Sequence, residues 1–390
     1  MSTRASQRVA SLGTTVFGEM SRMAGELGAV NLGQGFPEFS GPDVVKTAAK
    51  QAIDDNKNQY APPQGIPRLR QAIADTYQQA YGLEADVEQE ITVTTGATEA
   101  LLASMLGLLD PGDEVVVFEP FYDAYPAQIS FAGGKTVPVR LNTPDWSFDP
   151  DELAGAFSER TRAILITNPH NPTGKVFTEE ELDLIADLCQ THDVVAITDE
   201  VYDRLVYDGA VHIPIATRPG MRNRTITINS TGKTFSMTGW KIGYAIAAPE
   251  LTAAIRGAHQ FITFATSTPF QEGMATGMEA ALESDYYDQL AARYTSLRNI
   301  MKQGLEGAGL PILPAEGSFF LLADAAGRGF EDDVSFCMHL LREIGVAAIP
   351  PSAFYADPST APILARFCFA KEPATLEEAN RRLGALRASR

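Results

Sequence analysis

The chain is poor in cysteine. Three in 390 residues, Cys189, Cys337 and Cys368, are odd in number, widely separated and set in apolar contexts. They argue against a disulfide framework and against a cysteine-bound metal, and point to a reducing compartment. The chain is also short of positive charge. Lys and Arg number 31 against 49 Asp and Glu, a net charge of -18, which argues against a nucleic-acid surface but leaves room for a local basic pocket that takes a phosphate or carboxylate. Long apolar runs are missing too. MSTRASQRVASLGTT has no signal-peptide core, and no later stretch approaches the roughly 18 apolar residues of a membrane span, so the expectation is a cytoplasmic protein. Glycine fingerprints for nucleotides fail as well. Gly232, Lys233 and Thr234 look like the end of a P-loop, but the pattern needs a glycine five positions before Gly232, where Thr227 stands. In LGQGFPEF no glycine follows Gly35 until Gly41, too late for a dinucleotide turn.

What is present is ample apolar material, 45% of residues with 9% aromatic, enough for two lobes with substantial cores. No internal repeat, low-complexity tract or long linker interrupts it. β-rich runs alternate with helical patterns through the middle of the chain: EITVTTG (90–96), DEVVVFEP (113–120), RAILITNP (162–169), VVAITDE (194–200), TITINS (225–230) and KIGYAIAAP (241–249). This alternation predicts an α/β fold with a mostly parallel sheet covered by helices on both faces. TEALLASMLGLL (98–109) reads as a helix stopped by DPGD, and Thr178 to Glu181 has capping-box spacing. Helices such as YTSLRNIMKQGLEGAG, with strands SFFLLAD and LARFCFA, mark the C-terminal part. The expected division is a large α/β domain over 44–280 and a smaller α+β domain, with an N-terminal arm, from 1–43 and 281–390.

In open parallel sheets, ligands bind beyond the carboxyl ends of the strands. There this sequence sets the turn Gly96-Ala97-Thr98, Tyr122, Asn171, Asp199 with Tyr202, and Lys233. Each has a plainer use when taken singly. Gly96-Ala97-Thr98 is an ordinary helix cap, Asn171 shapes its Pro-rich turn, Asp199 caps the next element, the tyrosines pack and Lys233 is solvated. Their convergence on one edge of one sheet points elsewhere, to a phosphorylated planar cofactor and a nucleophilic amine. Pyridoxal phosphate requires this set: a lysine for its aldehyde, an aspartate for its ring nitrogen, and amide and cationic donors for its phosphate. Ser230 and Lys241 flank Lys233 and can join the phosphate donors. No metal is expected.

The stretches VNLGQGFPEF, NQYAPPQG, TTGATEA, EPFYDAY, NPHNPTGKVF, ITDEVYD, STGKTFSMTGWKIGY and ARFCFAKEPATLEEA resemble class I/II, fold type I, pyridoxal-phosphate-dependent aminotransferases from about residue 8 to 385. They are most similar to the branch of kynurenine aminotransferase, glutamine transaminase K and bacterial methionine aminotransferase. TVFGEMSRMAGELGAVNLGQGFP is also similar to an actinobacterial N-succinyldiaminopimelate aminotransferase. The resemblance implies that Lys233 bonds the cofactor's aldehyde, Asp199 faces its ring nitrogen, Tyr202 and Asn171 serve its phenolic oxygen, and Tyr122 stacks on its ring. Gly96, Ala97, Thr98, Ser230 and Lys241 would hold the phosphate, with Tyr60 supplied by the neighbouring subunit of a homodimer. Arg366 would grip the substrate α-carboxylate beside Gly35, a task that suits its fork of donors. Asn171, Phe17 and Phe264 would complete the substrate pocket, for aromatic, sulfur-containing or glutamine-like amino acids. The kynurenine branch commonly has tryptophan where Phe17 stands and histidine where Ala265 stands, so kynurenine itself is not carried over. The expected activity is ping-pong transfer of an amino group from an L-amino acid to a 2-oxo acid. N-succinyldiaminopimelate transamination in lysine biosynthesis, a cysteine-conjugate β-lyase and, from another class, a non-catalytic ligand-binding regulator stand as alternatives.

Overall fold

The computed structural model describes residues 6–10 and 15–387; the remaining parts of the two outer segments expected at 1–43 and 281–390 lie outside the described residues. Seven strands form the main sheet: β1 (Ile91–Thr95), β2 (Glu114–Glu119), β3 (Lys135–Arg140), β4 (Thr161–Thr167), β5 (Val195–Asp199), β6 (Thr225–Ser230) and β7 (Ile242–Ala247). Their spatial order is β1-β7-β6-β5-β4-β2-β3. Pairings are parallel except those of β7, which is antiparallel to both β1 and β6. Side chains alternate between the two faces. Val115 and Val117 of β2 enter the same core as Leu165, Ile197 and Ile228, while Val116 and Phe118 enter the opposite core with Ile164 and Ile166. A sheet buried on both faces has no polar side to show, which is why these strands read as near-continuous apolar runs.

Six of the seven strands stand where the sequence predicts them. β3, KTVPVR, is additional: it is an edge strand carrying two charges and Pro138, a residue tolerated only where a ladder amide is not required. The predicted helix at 98–109 is observed at Gly96–Leu108. Thr178 and Glu181 form both bonds of the capping box that opens Glu179–Thr191. A second, antiparallel pair joins β8 (Phe320–Asp324) to β9 (Leu364–Cys368), with Arg366 opposite Leu322. Its core combines Met20, Ala24 and Leu32 from the start of the chain with residues between Leu290 and Leu386 from the end, and Val201, Tyr202, Leu205 and Tyr207 from the middle pack into it. Among the described residues no helix is long and apolar enough to cross a membrane.

Candidate active site

The ends of β1, β2, β4, β5 and β6 lie along one edge of the sheet. Because β7 runs the opposite way, its beginning lies there too, and this brings Lys241 to the same edge. Asp199 closes β5 and is buried. Its carboxylate accepts the Tyr125 hydroxyl at 2.8 Å and the Val201 amide at 3.4 Å. Burial pushes its pKa up to about 6, against the pull of the Tyr125 bond, the Val201 amide and the Lys233 charge.

Ser230 ends β6 and caps the short helix Thr231–Thr234, its hydroxyl accepting the Gly232 amide. One residue further on, Lys233 Nζ donates to the Gly35 carbonyl at 2.7 Å. The ammonium lies 5.0 Å from the centre of the Phe319 ring and 5.9 Å from that of Tyr202. Burial lowers its pKa to about 8, helped by the positive charges of Arg366 and Lys241 and opposed by Cys368 and Asp199.

Arg366, on β9, is 1% exposed. Nη1 donates to Asn171 Oδ1 and Nη2 to the Gly33 carbonyl, each at 3.0 Å, while buried Nε has no partner among the described residues. Three rings surround the guanidinium: Phe320 at 4.0 Å, Phe17 at 4.9 Å and Phe354 at 5.2 Å. Burial brings its pKa down to about 10. No carboxylate of the described residues stands within ion-pair distance of it.

Tyr122 is half-buried and meets Tyr125 edge-on at 5.5 Å; burial, then the charges of Asp123 and Asp199, push its hydroxyl up to about 12. Tyr202 is buried edge-on against Phe319. At the other end of the site, Gly96 takes φ +74, and a Cβ there would lie 2.8 Å from Lys241 Nζ. Lys241 in turn reaches Thr98 Oγ1 at 3.4 Å. A Cβ on Gly243 would sit 2.4 Å from the Gly96 carbonyl carbon and 2.5 Å from the Ala97 nitrogen, so two glycines let β7 and this turn touch. The amides of Ala97 and Thr98 open a helix and have no carbonyl one turn back to bond.

Contacts and charges thus link these residues into one cluster: Lys233 to Gly35, Tyr202, Asp199, Arg366 and Lys241, Arg366 to Asn171 and Phe17, Tyr122 to Asp199 and Arg366, and Lys241 to the Gly96–Thr98 turn. Tyr60 and Phe264 are not brought into it by this chain alone. Tyr60 is 84% exposed and packs edge-on against Phe264, which is 44% exposed. Sequence reasoning passed over Tyr125, although it stands one helical turn beyond Tyr122 in the same motif, and also the cage residues Phe320 and Phe354. The latter give no local signal, because they reach Arg366 from a neighbouring strand and a separate turn.

The arrangement fits pyridoxal phosphate. Among the described residues Asp199 is a buried carboxylate with no cationic hydrogen-bond partner and the hydrogen bond of Lys233, a lysine of lowered pKa, goes to a carbonyl, while helix-start amides stand beside an ammonium.

Comparison with known proteins gives a consistent set of likenesses. The family described as aminotransferase class I and II matches residues 28–383. The solved N-succinyldiaminopimelate aminotransferase from Mycobacterium tuberculosis is 43% identical, with TM-score 0.94, covering 98% of this chain and 100% of that one. The methionine aminotransferase of Escherichia coli is 40% identical over 95% of this chain and 96% of its own. Kynurenine–oxoglutarate transaminase 1 of Homo sapiens is 39% identical over 94% of each.

Proposed function

The chain belongs to the class I and II aminotransferases and is a pyridoxal-phosphate-dependent transaminase acting on an amino acid and a 2-oxo acid; from that premise we propose the residues that do the work and the substrates they select. The observation that carries the proposal is Arg366, a buried guanidinium whose Nε has no partner among the described residues, fixed by Asn171 and Gly33 and walled by Phe17, Phe320 and Phe354. A fork of this kind binds a carboxylate with little reorganisation. Its apolar walls favour a neutral side chain beyond the α-carbon, in keeping with aromatic, sulfur-containing or glutamine-like donors.

When bound, the cofactor supplies an aldehyde for the amino group and a ring that withdraws electrons from the substrate α-carbon. Lys233, whose Nζ here donates to the Gly35 carbonyl, would be the amine that bonds that aldehyde. Were a substrate amine to take its place, the freed Lys233 amine would be the base that takes the proton from the substrate α-carbon and delivers it to the carbon that had been the aldehyde's. Burial, which lowers its pKa to about 8, favours the neutral amine this requires. Asp199 would hold a negative charge toward the ring nitrogen, Tyr202 and Asn171 would serve the phenolic oxygen, and Tyr122 would cover the ring. Gly96, Ala97, Thr98, Ser230 and Lys241 would hold the phosphate, with Tyr60 from a second copy.

A second reading has its own support. Identity of 43% to the Mycobacterium tuberculosis enzyme favours N-succinyldiaminopimelate as donor. The test is to follow the visible absorbance of the enzyme while adding methionine, glutamine, phenylalanine, kynurenine, glutamate and N-succinyldiaminopimelate separately. A neutral donor should change the spectrum fastest, and N-succinyldiaminopimelate in first place would establish the second reading. Glutamate in first place would overturn the apolar-pocket argument. Pyruvate and ammonia formed from a cysteine conjugate without any oxo acid would identify the β-lyase.

A further inference from the structure

One buried ion pair outside the groups so far assigned stands directly behind the phosphate-binding turn. Glu99 lies in the first turn of the helix Gly96–Leu108 and is 7% exposed; His259, on the helix Pro249–Ile262, is fully buried. His259 Nδ1 and Glu99 Oε1 are 2.6 Å apart, and His259 Nε2 is 2.7 Å from the Pro63 carbonyl. A carbonyl only accepts, so Nε2 carries a hydrogen. Glu99 already accepts the Thr95 amide on Oε2 and the Thr263 hydroxyl on Oε1, each at 2.5 Å. A carboxylate so placed calls for a donor at Nδ1 as well, and a ring that donates from both nitrogens is an imidazolium.

The pair gathers three segments. Thr95 begins the phosphate turn, and its hydroxyl reaches Thr266 Oγ1 at 3.1 Å. Pro63 belongs to the segment that carries Tyr60. Thr263 precedes Phe264, whose amide bonds the His259 carbonyl. The electrostatic consequence is specific. A bare carboxylate in the first turn of a phosphate-binding helix would repel the phosphate that the turn exists to hold. His259 supplies the compensating charge.

We infer that His259 is a positioning residue whose positive charge neutralises Glu99 behind the Gly96–Thr98 turn and ties that turn to the segments bearing Tyr60 and Phe264, so that the enzyme's hold on a phosphate group depends on this histidine. The inference rests on the assignment of that turn to the cofactor phosphate. The charged groups that bear on His259 are Glu99 and, on its own helix, Arg256, which is engaged with Thr92 Oγ1 and the Ile91 carbonyl. Burial and Arg256 disfavour the imidazolium, but the Glu99 bond and charge, with the Pro63 carbonyl, outweigh them and hold the pKa above 6.5. The sign follows: the charge is complete below the ordinary histidine range and is lost as pH rises through the raised value.

The test titrates full-length enzyme freed of cofactor with pyridoxal phosphate and, separately, with pyridoxal, following visible absorbance. His259→Gln should weaken pyridoxal phosphate binding roughly tenfold or more, because it leaves Glu99 uncompensated. It should leave pyridoxal binding near the wild-type level. The double variant Glu99→Gln/His259→Gln should regain most of the loss. In the wild type, inorganic phosphate should compete less well as pH rises above the histidine range, and this trend should flatten in the double variant. Equal losses for both ligands, no loss in His259→Gln, or no recovery in the double variant would overturn the inference. Should His259→Gln fail to fold, the wild-type and Glu99→Gln pH profiles decide it, since identical slopes would exclude a role for the pair. A wild-type enzyme that binds pyridoxal phosphate no better than Lys233→Ala would instead count against the cofactor assignment itself.

Discussion

Two side chains set the energetic character of the site. Asp199 is raised from 3.8 to about 6 and Lys233 is lowered from 10.5 to about 8, so each is driven by burial toward its neutral form. For Asp199 the folded chain binds more protons than the unfolded one between those limits, and stability therefore falls as pH rises from about 4 to about 6. For Lys233 the folded chain binds fewer, and stability is regained only as pH rises from about 8 to 10.5. Between pH 6 and 8 both costs are present, and for Asp199 the amount is on the order of 1 to 3 kcal/mol. Asp199→Asn keeps an oxygen for Tyr125 and removes the buried charge. The cofactor-free variant should melt a few degrees above cofactor-free wild type at pH 7.5, while kcat falls on the order of 10²-fold or more. Calorimetry on both proteins checks the first part and steady-state kinetics the second. A lower melting point would show that the carboxylate is not held at a cost.

At the scale of elements, what the sequence makes legible and what it hides have separate physical causes. Strands buried on both faces announce themselves as apolar runs, and their carboxyl ends single out Lys233, Asp199, Asn171 and the Gly96 turn as candidates without knowledge of any tertiary contact. β3 is hidden because an edge strand is free to carry charges and proline. The Arg366 cage is hidden because Phe320 comes from the strand opposite and Phe354 from a turn between the two. The Glu99–His259 pair is hidden because its members are 160 residues apart. The contact between β7 and the phosphate turn has a direct test in Gly243→Ala. The added methyl would meet the Gly96 and Ala97 backbone at about 2.5 Å, and backbone cannot swing aside as a side chain can. The variant should retain its circular dichroism and lose affinity for pyridoxal phosphate by roughly tenfold or more. Wild-type affinity in an absorbance titration would mean that the turn does not need this close approach.

For the molecule as a whole, we propose the division into a large domain over 44–280 and a smaller one from 1–43 and 281–390, supported by the core that Met20, Ala24 and Leu32 share with residues between Leu290 and Leu386, against which Val201, Tyr202, Leu205 and Tyr207 of the large domain pack. The second whole-molecule question is the partner. Tyr60 and Phe261 are 84% and 85% exposed, and Ile262 and Phe264 add apolar surface beside them, although a chain of net charge -18 has polar residues to spend on such a face. Apolar side chains gathered beside the end of a site mark an interface, and the Tyr60 to Phe264 contact lies on segments that the Glu99–His259 pair joins to the phosphate turn. A second copy related by two-fold symmetry would receive Tyr60 in its own site and return the favour. Mixing two inactive or impaired variants separates this from a site complete within one chain. Tyr60→Ala should bind the cofactor weakly, and Lys233→Ala should not turn over. In a mixed dimer one site carries both defects and the other neither. After co-refolding equal amounts at limiting cofactor, roughly a quarter of the sites should regain wild-type behaviour. If Tyr60 serves its own chain, every site in the mixture keeps one defect, and activity cannot exceed that of the Tyr60→Ala component alone.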